Sequence, residues 1–481
     1  MIPGIQNTKT DGNLGVVSDT DRILAIVGTA SSGAYAEAFG LTNENDITST
    51  FTSGPLVEAG AYMLARGIPV VLIRGNPSTP GAYGTIEHSG VSGTAVIAAG
   101  STEPDGDYDV IVEIVTGGQL GTSGIIFKYS LDNGVTWSLN TGLGAGLTMT
   151  LDRGISFTLS VSTNTFVAGD TFSVTTVAPQ LSSSDITSAL AALNTYSGEW
   201  LRALVLAQAD STILGNLDSF AKSFHADGKY PEVITNTRPR TVGSEDRPTY
   251  QGVLAAIAAA VQSVEVSCCA DYCEIVSEID GRRLRMPVAI PYAARLMIID
   301  DSQDAAAKAD GALPGVFVTT ATGALNYHDE RRFPGLDDLG FTTLRTFGGR
   351  PISPGVYVNN PRLLGGSGSD YRYFQHSAIV NRVIEDSFTL LQPRLSQSAL
   401  ADTTTGRIRA DVAQSIDDAM NAELRTRYVD SKRCSGLLFT LSRTDDVIST
   451  DTVHFDIKIV PLLYLKKFIG KTGLVRKLST T

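Results

Sequence analysis

A strand–helix–strand rhythm breaks off near Asn76 and resumes near Ser182, and a chain built this way must hold one sheet together across a long interruption. Residues 22–28 (RILAIVG) read as a buried strand. Residues 55–66 read as a helix: Pro55 occupies the first position, where a missing N–H costs nothing, and Leu56, Val57, Met63 and Leu64 are its apolar residues before Gly67 stops it. Residues 68–74 (IPVVLIR) are a continuous apolar run, the mark of a strand covered on both faces. Strand, helix and strand in this order predict a parallel, right-handed unit. From NPSTPG at 76–81 to Pro179 helical periodicity disappears, and Gly, Thr, Ser and Val dominate. Short strand candidates at 95–98, 108–115, 125–130, 147–151, 156–160 and 171–177 predict a small β-sandwich or barrel. Ser182–Asp185 then supplies a helix cap, Ile186, Ala189, Leu190 and Leu193 fall at helical spacing, and the α/β order returns. Strands are expected at 201–207, 232–235 and 286–290, and helices at 213–225, 250–261 and 293–308. The fold class is therefore mixed α/β and multidomain: a split α/β core at 21–77 and 181–339, with an antiparallel β domain inserted at 78–180.

Beyond residue 340 the pattern becomes helical. A first long helix carries Ile384, Phe388, Leu391 and Leu395, with Pro393 as a kink. A second carries Ile408, Val412, Ile416, Met420, Leu424 and Tyr428 at every fourth position, with Arg425 and Arg427 at the end where the helix dipole favours cations. Residues 437–442 read as a strand. These elements make a C-terminal domain at 340–450, followed by an arm at 451–481. In the arm Val453, Phe455, Ile457 and Ile459 alternate with His454, Asp456 and Lys458, the period of a strand with one apolar face. Past Pro461 come Leu462, Leu463, Tyr464, Leu465, Phe468 and Ile469. From Lys458 onward the charges are Lys458, Lys466, Lys467, Lys471, Arg476 and Lys477, all basic, in a chain of formal net charge −12. Two readings stand open: a last strand closing the chain's own sheet with its basic end solvated, or a tail that docks on another copy. Residues 1–20, with Gly4, Gly12 and Gly15 among polar residues, form an N-terminal extended arm that is either disordered or paired to a sheet edge elsewhere.

Composition narrows the function classes. With 481 residues, 42% hydrophobic and 18% charged, the chain resembles ordinary soluble proteins, and an acidic pI near 5.0 argues against direct nucleic-acid binding. Neither a signal-length apolar core nor a membrane-length run is present, so folding in a cytoplasm and no membrane insertion are expected. Cys268, Cys269, Cys273 and Cys434 lack paired zinc spacing and read as buried thiols. GTASSG at 28–33 follows a strand yet lacks both dinucleotide and Walker spacing, and Gly470-Lys471-Thr472 is only a motif fragment. His88, His225, His328, His376 and His454 lie in unrelated contexts. The cluster His328-Asp329-Glu330-Arg331-Arg332 is read as a solvated, salt-bridged loop rather than an acid–base pair, and Asp300-Asp301 and Asp417-Asp418 are neighbours that do not face one site. No catalytic, cofactor or metal residue is assigned, and the chain is expected not to be an enzyme. SLDNGVTW at 130–137 resembles the Asp-box of sialidases, a hairpin device whose Asp binds turn amides with the Trp packed beneath. It occurs once here, whereas propellers repeat it.

The order of parts, with residues 340–383 (FTTLRTFGGRPISPGVYVNNPRLLGGSGSDYRYFQHSAIVNRV within them), 68–74 and 455–465, resembles contractile tail sheath proteins of myophage tails, R-type bacteriocins and related contractile injection systems. The resemblance implies a structural subunit that forms a homo-oligomer, a helical stack of hexameric rings, around an inner tail tube protein. It implies baseplate and tail terminator proteins as further partners, and a metastable sheath that shortens to drive the tube through an envelope. The location implied is a virion tail or contractile particle assembled in the bacterial host cytoplasm, with the β domain facing outward and dispensable for assembly. Val453, Phe455, Ile457, Ile459, Lys466, Lys467 and Lys471 would then form an inter-subunit strand, and Arg407, Arg409, Arg425 and Arg427 would face the tube. The alternative is a virion decoration or adhesin protein using the β domain to bind.

Overall fold

The computed structural model describes residues 22–90, 93–160, 163–241, 244–319, 328–347, 355–366 and 368–470. They fall into two compact units divided between Asn381 and Arg382, so the described fold is mixed α/β and multidomain.

The first unit is built on a six-stranded sheet ordered Val266–Cys269, Glu232–Asn236, Arg202–Gln208, Leu24–Gly28, Val70–Arg74 and Ala38–Leu41. All neighbours are parallel except the last pair. Leu24–Gly28 lies between Val70–Arg74 and Arg202–Gln208, with Ile26 opposite both Leu72 and Leu204. The β insertion thus interrupts one continuous sheet. Alternate side chains serve two cores, as the two-residue period of a strand requires. Leu24, Ile26, Leu72, Leu204 and Ile234 face one layer with helices Pro55–Leu64 and Ala289–Ile298. Ala25, Val27, Val71, Val205 and Val233 face the other, with helices Ser183–Thr195, Ser211–Ser223 and Arg247–Ala260. The Ser182 cap is a full capping box, its hydroxyl accepting from the Asp185 N–H while the Asp185 carboxylate accepts from the Ser182 N–H.

Two parts of this unit depart from the pattern expected of the sequence. Ala38–Leu41 and the helix Glu44–Phe51 carry only short apolar signals; the strand is antiparallel and sits at the sheet edge. Residues 286–290 are not a single strand. A hairpin of Tyr272–Val276 and Arg283–Pro287 ends there, and the helix starts at Ala289 and stops at Ile298 rather than running from 293 to 308.

The insertion is antiparallel β throughout its named strands. Its largest sheet includes Asp109–Thr116, Ile126–Ser130 and Thr171–Val177, and a second sheet joins Thr148–Thr150, Ser156–Leu159 and Ile97–Ala99. The chain enters and leaves it side by side, Thr79 and Gln180 exchanging backbone bonds of 3.3 and 2.9 Å. Its interior is not separate. Val110, Val112, Phe127 and Phe157 belong to the same continuous apolar cluster as Leu24, Leu56 and Met297. Arg153 of the insertion pairs with Glu58 of the core helix (2.9 Å) and with Asp280 (2.8 Å), and Ser277 donates to the other Glu58 oxygen at 2.8 Å. Glu58 is buried, and burial pushes its carboxyl up against the opposing pull of Arg153.

In the second unit the helix Ala410–Arg425 packs against a hairpin of Gly436–Leu441 and Phe455–Val460. The helix buries Ala413, Asp417, Met420 and Leu424, a stripe that drifts by one residue from the strict four-residue spacing in the sequence, because 3.6 residues make a turn. Ile416 is half-buried.

Candidate functional site

The hairpin of the second unit has two outer edges, and they differ. Its register pairs Gly436 with Val460, Leu438 with Lys458 and Thr440 with Asp456. Ser442 N–H donates to the His454 carbonyl at 2.8 Å, which sets the hydrogen-bond phase. By the alternation of an antiparallel ladder, the backbone groups of Phe439 and Leu441 point to one outer edge and those of Phe455, Ile457 and Ile459 to the other. The first edge is closed by the helix. Asn421 Nδ2 donates to the Phe439 carbonyl and Asn421 Oδ1 accepts from the Phe439 N–H, each at 2.8 Å. Asp417 Oδ1 accepts from the Leu441 N–H at 2.8 Å, while Arg443 pairs with its other oxygen at 2.7 Å. On the second edge no further strand pairs with Phe455–Val460 among the described residues.

The residues expected to form an inter-subunit strand fall into two groups. Phe455, Ile457 and Ile459 sit in the hairpin opposite Leu441, Phe439 and Leu437 of their own chain, with Phe455 stacked on Phe439 at 5.2 Å and 43% exposed. Val453 precedes the strand and is half-buried. Residues 461–470 have no regular structure, and Leu463, Leu465, Phe468 and Ile469 are exposed, Leu463 by 92%. Such a row of large apolar groups left in water is unusual for a finished surface. Lys466 and Lys467 belong to this segment and are exposed; Lys471 lies outside the described residues, as do the arm at 1–20 and most of the Gly470-Lys471-Thr472 fragment.

Of the four arginines expected to face a tube, only Arg425 is within the helix. Arg407 and Arg409 precede it, in a loop where Ala401 bridges to Ile408, and Arg427 is in the π-helical turn Thr426–Asp430. All four are exposed. Arg409 makes a two-pronged pair with Asp411 (2.6 and 2.5 Å), and Arg427 pairs with Asp386 at 3.1 Å. The neighbouring Tyr428 donates its hydroxyl to the other Asp386 oxygen at 2.7 Å.

Two polar segments singled out in the sequence bond within the first unit. The turn after Leu24–Gly28 is filled by Arg74, whose Nε donates to the Ala30 carbonyl (2.8 Å) and Nη1 to the Gly33 carbonyl (2.6 Å). A loop offering carbonyls to a cation does not cradle phosphate. The His328 cluster is not solvated as expected: His328, Asp329 and Glu330 are buried. Glu330 accepts from His328 (2.9 Å) and from the Gly335 and Asp337 N–H groups, and Asp329 accepts from the Thr346 N–H and hydroxyl. These carboxylates pin a loop and have no oxygen aimed at solvent chemistry. Burial pushes the Cys268, Cys269 and Cys273 thiols up, away from the thiolate. Among the described residues no group of three or more His, Cys, Asp or Glu is placed to hold a metal, and no helix is long and apolar enough to cross a membrane.

A buried ion network anchors the start of the central strands. Arg202, fully buried, donates to Glu232 (3.0 Å) and Asp301 (2.6 Å), and Asn381 Nδ2 bridges Glu232 (3.1 Å) and Glu265 (3.4 Å). Glu265 is pushed up to about 7, chiefly by burial and next by the Glu232 charge.

In the Asp-box segment Asp132 accepts from the Thr136 N–H and hydroxyl, both at 2.8 Å, as in the resembling motif. Trp137 departs from it: 39% exposed, it lies under Lys128 with Nζ 4.6 Å from the ring.

Comparison with known proteins bears on what this arrangement belongs to. No curated protein matches the chain. The fold is shared with a chain of PVC, an extracellular contractile injection system, in its sheath complex in the contracted state (TM-score 0.53, 10% identity, 98% of this chain and 97% of that one). It is also shared with a chain of the anti-feeding prophage baseplate (TM-score 0.51, 10% identity, 98% and 99%). A sheath tail protein from Desulfitobacterium hafniense aligns at TM-score 0.47 and 11% identity over 96% of this chain and all of that one. At 10% identity the first two likenesses speak for the fold alone. Sequence itself speaks at the family level: the profile described as DUF2586, N-terminal domain, matches residues 2–362, taking in both halves of the interrupted sheet and the whole insertion, and the chain belongs to the DUF2586 family.

Proposed function

We propose that this chain is the structural subunit of a contractile tail sheath, assembling as a helical stack of hexameric rings around an inner tail tube and shortening to drive the tube through a target envelope. The observation that carries this reading is the shared fold over nearly the whole chain with a protein of a contractile injection system. A contact between different surfaces of identical subunits generates an open helix when its rotation does not close, and two arrangements of one packed subunit store the free energy that contraction releases. Baseplate and tail terminator proteins are the partners at the two ends, and the working place is a virion tail or contractile particle built in the bacterial host cytoplasm. The chain acts without catalysis or cofactor.

In this reading residues 21–77 and 181–339 are the sheath core, 78–180 an outward-facing insertion, 340–450 the inner domain, and 1–20 with 451–481 the linking arms. The open edge of Phe455–Val460 receives a strand, and the exposed segment 461–470 is donated to another copy. Charge favours the exchange: residues up to Asn381 hold 23 Lys and Arg against 38 Asp and Glu, whereas from Lys458 onward Lys466, Lys467 and Lys471 are accompanied by no acid. Negative-stain microscopy of the purified protein tests the proposal. Rings or tubes are expected; monodisperse particles at every concentration and salt condition would instead favour a decoration or adhesin protein.

A further inference from the structure

We infer that Asn421 and Asp417 decide the direction in which the C-terminal sheet is extended, by closing one of its two edges. This rests on the strand-donation reading above. A two-stranded hairpin offers two outer edges with equivalent rows of N–H and C=O groups, and an incoming strand has no intrinsic reason to choose between them. Here one edge is already occupied at Phe439 and at the Leu441 N–H. Asn421 presents its amide to Phe439 as a neighbouring peptide group would, one donor and one acceptor, both at 2.8 Å. Its second amide hydrogen is spent on the Asp417 carbonyl one turn earlier, also at 2.8 Å, which fixes the orientation of the group. Asp417 then takes the Leu441 N–H, and Arg443 neutralises it.

Asn and Asp are poor choices for a helix interior, where their side chains compete for backbone bonds. Their positions, four residues apart on the stripe that otherwise buries Ala413, Met420 and Leu424, are places where an alanine or leucine would suit the helix better. What an apolar residue could not do is occupy both Phe439 backbone groups and the Leu441 N–H. With them closed, only the edge bearing Phe455, Ile457 and Ile459 accepts a strand, so each subunit receives on one side and the assembly has a single polarity.

Amide hydrogen exchange on dispersed full-length subunits, compared with sedimentation of the same samples, tests this. In the natural chain Phe439 and Leu441 amides exchange slowly while Phe455, Ile457 and Ile459 amides exchange fast. Asn421→Ala speeds Phe439 exchange by on the order of tenfold, the equivalent of one lost hydrogen bond, and produces irregular side-by-side association. Asn421→Asp keeps an acceptor for the Phe439 N–H but turns an oxygen on the Phe439 and Asp417 carbonyls where the amide donated, and is expected to speed Phe439 exchange as well. Phe439 exchanging as fast as Ile457 in the natural chain overturns the inference, and needs no variant to fold. So does a folded Asn421→Ala protein that sediments and assembles as the natural one does. Tube formation is read separately: slow Phe439 exchange, association of the Asn421→Ala variant and no tubes from the natural chain would sink the sheath reading and leave the closed edge standing.

Discussion

Arg153, contributed by the β insertion, donates to the buried carboxylate of Glu58 in the core helix at 2.9 Å. The pair, with Asp280 and Ser277 around it, ties the insertion to the α/β core inside a continuous apolar cluster. Arg153→Ala leaves a buried carboxylate without its cation and is expected to destabilise the first unit by about 3 kcal/mol, since breaking one side of a buried pair costs more than the pair contributes. Replacing both partners, Glu58→Gln with Arg153→Met, should recover more than half of that loss in urea unfolding. The same geometry alters the expectation that residues 78–180 can be removed freely. Deletion strips Val110, Phe127 and Phe157 from a shared core, so the shortened chain should unfold at lower temperature unless the exposed core surface is redesigned.

Stability should fall as pH rises from about 4.5 to about 7 through Glu265. Its carboxyl holds a proton up to about 7 when folded, against an ordinary value of 4.5. Between those values the folded state binds more protons than the unfolded one, so unfolding free energy declines with pH and levels off above 7. Glu265→Gln should remove this dependence and stabilise the protein above pH 7 by about 3 kcal/mol or less, following the shift in pKa. Thermal melts of both proteins across pH 4.5–8 read it directly; parallel curves would discard it.

Two truncations should behave differently. A chain ending at Val460 keeps the hairpin of Gly436–Leu441 with Phe455–Val460 and should fold with a nearly unchanged melting temperature, yet form no tubes because the donated segment is gone. A chain ending at Ser449 loses the pairing strand itself, leaving Leu438 and Phe439 without a neighbour, and should be less stable and prone to aggregate. Normal tubes from the chain ending at Val460 would remove 461–481 from any assembly role.

Among the arginines proposed to meet a tube, Arg407→Glu with Arg425→Glu should weaken co-sedimentation with tube protein and leave the fold intact, both being exposed. Arg409→Glu or Arg427→Glu should also disturb local structure, through lost pairs with Asp411 and Asp386. Both arginines are exposed and their pairs solvent-screened, so the disturbance should stay local. Unaltered tube binding in the Arg407/Arg425 variant would clear the inner face of these residues.

The parallel strands were legible because a strand buried on both faces is written as an unbroken apolar run, as at 70–73 and 203–207. Ala38–Leu41 was not, since an edge strand of three half-buried residues and an exposed Gly40 carries no comparable run. The sequence places the start of the helix Ala289–Ile298 too late because Met286, Pro287, Val288 and Ile290 are apolar whichever element they join; the hairpin partner Tyr272–Val276 decides it, and that pairing is not a local property. The same holds for polar residues. His328 and Glu330 look like a charged surface loop until the fold buries them against Gly335 and Asp337. In the sequence Asp417 is only half of an adjacent acidic pair and Asn421 carries no signal, because the value of either depends on a strand some twenty residues later.

The insertion also has a consequence in time. Leu24–Gly28 needs Arg202–Gln208 on one side, and about 130 residues separate that strand from Val70–Arg74, its partner on the other. At roughly 5–20 residues per second of synthesis, the nascent strand waits on the order of ten seconds with one edge open. The insertion emerges during that interval, made of antiparallel pairs between nearer segments, and its apolar residues are those that join Leu24 and Leu56 in one cluster. The interruption of the sheet therefore supplies its own escort: the unfinished half of the core has a folded surface to pack against before the chain that completes it has been made.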